Sequence, residues 1–80
     1  MTDDRYAVIL VRSTSYAIRI EKLLGEATIP CKLIPVPRQI SSDCGVCVRI
    51  LRADIQAVRQ AIEAAGIEIE GIHEIERKGK

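Results

Sequence analysis

From Arg5 to Val11 the chain runs Arg-Tyr-Ala-Val-Ile-Leu-Val, a β-branched, almost wholly apolar stretch. It is long enough for one strand and short for a helix, and its lack of alternation predicts a central strand covered on both faces. The next segment spaces Tyr16, Ala17, Ile20, Leu23, Leu24 and Ala27 along one helical face. Ser13-Thr14-Ser15 ahead of it supplies hydroxyls suited to capping a helix start, and Ile29-Pro30 behind it provides a stop. Cys31 to Val36 reads as a short strand whose prolines favour a sheet edge. Gly45 to Leu51 alternates as a third strand. A second helix is expected from about Ala53-Asp54, burying Ile55, Val58, Ile62 and Ala65 and closing on Gly66. Ile67 to Ile75 alternates apolar and acidic residues at first, as a strand with one wet face should, and residues 76–80 form a solvated tail.

The predicted order is β-α-β-β-α-β, with a faint echo between Glu26-Ala27-Thr28-Ile29 and Ala64-Ala65-Gly66-Ile67. That order predicts an α+β domain of ferredoxin-like plan, a four-stranded antiparallel sheet with both helices on one face. Right-handed crossovers leave room for the third strand between the first two, giving the spatial order 4-1-3-2. Eighty residues suffice for one domain, with an ordered core from about residue 5 to residue 75.

Composition narrows the function more than the fold. A formal charge of +1 offers no electrostatic footprint for nucleic acid or an anionic membrane. The absence of Trp and Phe removes the usual base-stacking platforms. No apolar run approaches a membrane span, and the acidic start Met1-Thr2-Asp3-Asp4 is unlike a signal peptide, so a cytoplasmic protein is expected. Three cysteines fit a reducing compartment.

Chemistry concentrates in the polar segment Pro37-Arg38-Gln39-Ile40-Ser41-Ser42-Asp43-Cys44-Gly45. In the predicted topology Cys44 begins a central strand at the end of the sheet where the first helix starts. Helix N–H groups and the helix dipole favour an anion there and can lower a thiol pKa below its free value of about 8.5. Arg38 adds positive charge, backbone N–H groups around Ser42, Cys44 and Gly45 can cradle an anion, and Asp43 opposes them. A small buried thiol is the plainer alternative for Cys44.

Cys44-Gly45-Val46-Cys47 is formally a CxxC. In extended chain its ends lie about 10 Å apart and point to opposite faces, whereas a disulfide needs Cα atoms within about 4.4–6.8 Å. A thiol oxidoreductase with Cys47 as resolving thiol would therefore need a tight turn at Cys44-Gly45. One CxxC is half a zinc motif, so no metal is expected; His73 reads as a strand residue and Cys31 as packing.

The ordered set Ser13-Thr14-Ser15, Glu21-Lys22-Leu23-Leu24, Ile29-Pro30, Lys32-Leu33-Ile34-Pro35, Pro37-Arg38 and Ser41-Ser42-Asp43-Cys44-Gly45 resembles the Se/S carrier protein-like family, a family without an established role. Asp43 and Cys47 depart from its pattern, where a serine and a small apolar residue are common. The resemblance implies a small cytoplasmic protein that carries sulfur or selenium on Cys44. Ser13, Thr14, Arg38, Ser41, Ser42 and Gly45 would then stabilise the loaded anion, with a donor and an acceptor protein as partners and no cofactor. The alternative is a non-catalytic interaction module. It would self-associate through the helix-free sheet face, where Cys47, Leu51 and Ile72 are expected to leave an apolar patch.

Overall fold

The computed structural model describes residues 5–37 and 45–75. Strand β1 (Tyr6–Leu10) leads into helix α1 (Thr14–Glu26), then strands β2 (Cys31–Pro35) and β3 (Val46–Leu51). A 3₁₀ turn (Arg52–Asp54), helix α2 (Ile55–Ala65) and strand β4 (Gly71–Ile75) complete the chain. The sheet order is β2-β3-β1-β4, and every neighbouring pair is antiparallel. This is the expected 4-1-3-2 arrangement read from the other edge.

Parity along the strands decides what each face buries. Ala7, Ile9 and Val11 from the first strand and its exit share one cluster with Val48 and Ile50 of β3 and with Ala17, Ile20, Leu24, Val58 and Ile62 of the two helices. Both helices therefore lie on one side of the sheet. The intervening residues Val8, Leu10 and Cys47 form a second, smaller cluster on the helix-free side, flanked by Ile34, Val36 and Ile75. All three are shielded from solvent, so β1 is covered on both faces, as its unbroken apolar run requires.

Both helices end in the same way. At α1, Thr28 N–H donates to Gly25 O (3.1 Å) and Ile29 N–H to Leu24 O (2.8 Å). At α2, Gly66 N–H donates to Glu63 O (3.1 Å) and Ile67 N–H to Ile62 O (3.2 Å). These are paired Schellman closures, each with a left-handed residue at the turn: Thr28 at φ 58° and Gly66 at φ 71°. The sequence echo between residues 26–29 and 64–67 is this motif. It stops α1 at Glu26, four residues before Pro30. It also corrects two core assignments. Ala27 and Ala65 each stand just before the left-handed residue, where the helical period has ended, and both are exposed.

Thr28 is β-branched in a conformation that costs an L-residue about 1–2 kcal/mol. Thr28→Gly is expected to raise stability by about 0.5–1 kcal/mol, read as a melting temperature higher by several degrees. Gly66→Ala is expected to cost about 1 kcal/mol. A Cβ there meets nothing within 4 Å, so that loss reports the backbone alone.

Two further expectations change. Residues 67–70 alternate as predicted, with Ile67 and Ile69 packed on the core and Glu68 and Glu70 exposed, yet strand pairing starts only at Gly71. Ile67 N–H is already used by the helix closure, and the chain first meets the sheet at Glu70, whose N–H donates to Leu10 O at 2.7 Å. Ile72 faces Ile9 across the ladder and packs on the helix side. It therefore contributes nothing to an apolar patch on the helix-free face.

Candidate functional site

The ladder registers bring three chain ends together. Leu10 pairs with Cys47 and Pro35 with Val46, so the exits of β1 and β2 and the entry of β3 share one end of the sheet. Val36 N–H donates to Gly45 O at 3.1 Å, adding one rung beyond the strands proper. Val36 and Gly45 are thus pinned on either side of the polar segment. Arg38, Ser41, Ser42 and Cys44 lie outside the described residues.

From Leu10 the chain passes through buried Val11 and exposed Arg12 to Ser13, which opens α1 at this same end. Ser13 has the extended backbone of an N-cap (φ −151°, ψ 163°), and its carbonyl accepts from Tyr16 N–H (3.1 Å) and Ala17 N–H (3.3 Å). Its side chain does not cap the helix. Ser13 Oγ lies 3.0 Å from Ser15 Oγ instead, so two hydroxyls sit side by side over the first turn. Thr14, Ser15 and Gly45 are exposed and Ser13 is half-exposed. A Cβ added at Gly45 would meet nothing within 4 Å, so the glycine leaves bare backbone open to solvent beside the position of Cys44.

The structure thus gathers Ser13, Thr14 and Gly45 at one end and sets beside them Arg12, which the sequence pattern does not single out, and Ser15, which it marks only as a capping hydroxyl. Arg12 is exposed, two residues past Leu10, the last β1 residue paired with β3.

The other thiols are differently placed. Cys47 is fully buried on the helix-free face between Val8 and Leu10, with Sγ 4.0 Å from Pro35 O. Cys31 is half-buried on the edge strand, and its Sγ points at Glu21 O at 3.8 Å. Burial, and then the Glu21 carboxylate, push the Cys31 thiol pKa up. Alkylation follows the thiolate fraction. At pH 8 Cys31 should therefore react with iodoacetamide several-fold more slowly in the native protein than in urea, and peptide mapping of timed samples measures this. Because the folded pKa is raised, the stability linked to Cys31 is present below the unfolded thiol pKa and is lost as pH rises through the folded value.

Two general findings bound the chemistry. No helix among the described residues is long and apolar enough to cross a membrane. Among the same residues no group of three or more His, Cys, Asp or Glu side chains could hold a metal ion.

A family model described as "Putative Se/S carrier protein-like" matches residues 6–74. The chain belongs to this family. The match runs through all four strands and both helices and includes the Cys44-Gly45 step. No curated protein and no solved structure matches the chain. Within the Se/S carrier protein-like family this chain thus presents an open chain end at Gly45, a helix start lined with hydroxyls and, nearby, an exposed arginine.

Proposed function

We propose that the protein is a sulfur or selenium carrier whose Cys44 thiol holds the chalcogen as a persulfide or selenosulfide. The observation that carries this reading is membership of the Se/S carrier protein-like family over a match that includes Cys44. The geometry around Gly45 supports it. Adjacent Cα atoms lie about 3.8 Å apart, which ties Cys44 to exposed Gly45 at the end of the sheet where α1 begins. A thirteen-residue helix directs its N-terminal dipole to that end, which favours a thiolate over a thiol. Ser13, Thr14, Ser41 and Ser42 would offer hydroxyl or N–H donors to the anion, Gly45 its backbone N–H, and Arg12 and Arg38 positive charge. The framework that does this is, in our reading, ferredoxin-like.

The proposed step is an exchange between two sulfurs. The Cys44 thiolate attacks the outer sulfur of a persulfide on a donor protein, a new S–S bond forms, and the donor leaves as a thiolate. The donor's sulfane sulfur passes over with no net oxidation, so neither a cofactor nor an acid–base triad is required. An acceptor protein reverses the step. Cys47 would have to leave a fully buried site to act as a resolving thiol, which weighs against a dithiol oxidoreductase.

Incubation with a cysteine desulfurase and cysteine, followed by intact-mass and peptide mass spectrometry, tests the reading. The expected product carries one additional sulfur on Cys44. A folded protein that acquires none at that residue would overturn it.

A further inference from the structure

The helix-free face carries a second feature, at the opposite end of the sheet from Gly45. Lys32 and Arg49 are direct cross-strand partners on β2 and β3. Like charges placed directly opposite destabilise a sheet. Here the pair is not relieved by a strand carboxylate. Among the described strand residues the sole acid is Glu74, which pairs with Ala7 on the helix-side parity and lies 3.4 Å from Arg52. The half-buried Arg49 guanidinium instead sits over the Tyr6 ring, 4.5 Å from its centroid. A cleft of about 250 Å³ opens at this point, lined by Tyr6, Pro30, Lys32, Arg49 and Leu51 together with Cys31 and Ile50.

We propose that this cleft is a binding site for a small molecule bearing a phosphate monoester. Two cations side by side match the charge of about −1.5 to −2 that such a group carries near neutral pH. A single carboxylate would leave one cation uncompensated. Arg49 presents a planar fork already held against Tyr6, and Lys32 adds a mobile point charge. Tyr6, Pro30 and Leu51 give an apolar wall for the body of the ligand. The volume lies just below that of ordinary ligand pockets, about 300–1,000 Å³, so the ligand is small. Four residue steps along the strand separate Arg49 from Gly45, about 14 Å, so bound phosphate does not reach the Gly45 end. The inference is therefore independent of the carrier reading.

Phenyl phosphate titrated into ¹⁵N-labelled Cys44→Ser protein tests it, since sulfur chemistry is then absent. The expected result is saturable shift changes at Tyr6, Lys32, Arg49 and Leu51, with Gly45 and Ser13 unmoved. Benzoate, with one charge, should bind at least tenfold more weakly. Lys32→Gln, at an exposed position, should weaken phenyl phosphate at least fivefold while the spectrum stays folded, and Arg49→Lys should do the same by loss of the fork. No saturable change at millimolar phenyl phosphate overturns the proposal. So do equal shifts at the helix cations Arg19, Lys22 and Arg59, which mean general screening. An affinity that appears only after Asp3 and Asp4 are both changed to Asn assigns the cleft to the chain's own carboxylates and overturns it too.

Discussion

Ile9→Ala is expected to remove a large part of the protein's stability, about 3–4 kcal/mol. Ile9 is fully buried at the middle of β1, paired with Val48 on one side and Ile72 on the other. It stands under both helices in the main core cluster. Truncation takes away three buried carbons and leaves a cavity between layers that cannot collapse independently, because the ladder fixes the backbone on both sides. A domain of this size has about 4–12 kcal/mol in total, so the variant sits near the edge of folding. Urea denaturation should show a much lower midpoint with an unchanged slope. Val8→Ala, on the smaller helix-free cluster, should cost less, about 1–2.5 kcal/mol. A larger loss at Val8 than at Ile9 would mean that the helix-free face, not the helix layer, dominates stability.

These residues were legible in the sequence because burial on both faces suppresses alternation. The run from Tyr6 to Val11 could only be a central strand, and strand order followed from chain handedness once the element order was known. Element ends were less legible, for a definite physical reason. Both helices stop on backbone hydrogen bonds through a left-handed residue. At Gly66 the sequence advertises that conformation, while at Thr28 it hides it, and Pro30 is the visible stop instead. The pattern reads β4 too long because alternation from Ile67 to Ile69 records burial, which a connector satisfies before the ladder begins. The candidate site was half legible. Topology alone put the Gly45 end beside the start of α1. The exposure of Arg12 and the Ser13–Ser15 contact needed coordinates, since the pattern points to a capping bond that the Ser13 side chain does not make.

The sharpest separation of roles is between the two cysteines of the Cys44-Gly45-Val46-Cys47 segment. Cys44→Ser is expected to abolish sulfur loading completely, because an alcohol does not attack a persulfide at neutral pH, and to leave the melting temperature nearly unchanged. Cys47→Ala is expected to do the reverse. It removes a buried sulfur packed on Val8 and Leu10 and should cost about 1–2 kcal/mol while loading persists. Cys47→Ser should be worse than Cys47→Ala, since a hydroxyl at a fully buried site adds a desolvation cost. Intact-mass spectrometry of the desulfurase reaction and thermal melts of the same three samples check both halves. If loading on Cys44 disappears in Cys47→Ala while the protein remains folded, Cys47 takes part in the exchange. The step would then run through a disulfide between the two cysteines, which requires β3 to open at its first rung, where Val36 N–H meets Gly45 O. Under the carrier reading that rung stays closed. The Val36 amide proton should then exchange with solvent at the same rate in loaded and unloaded protein.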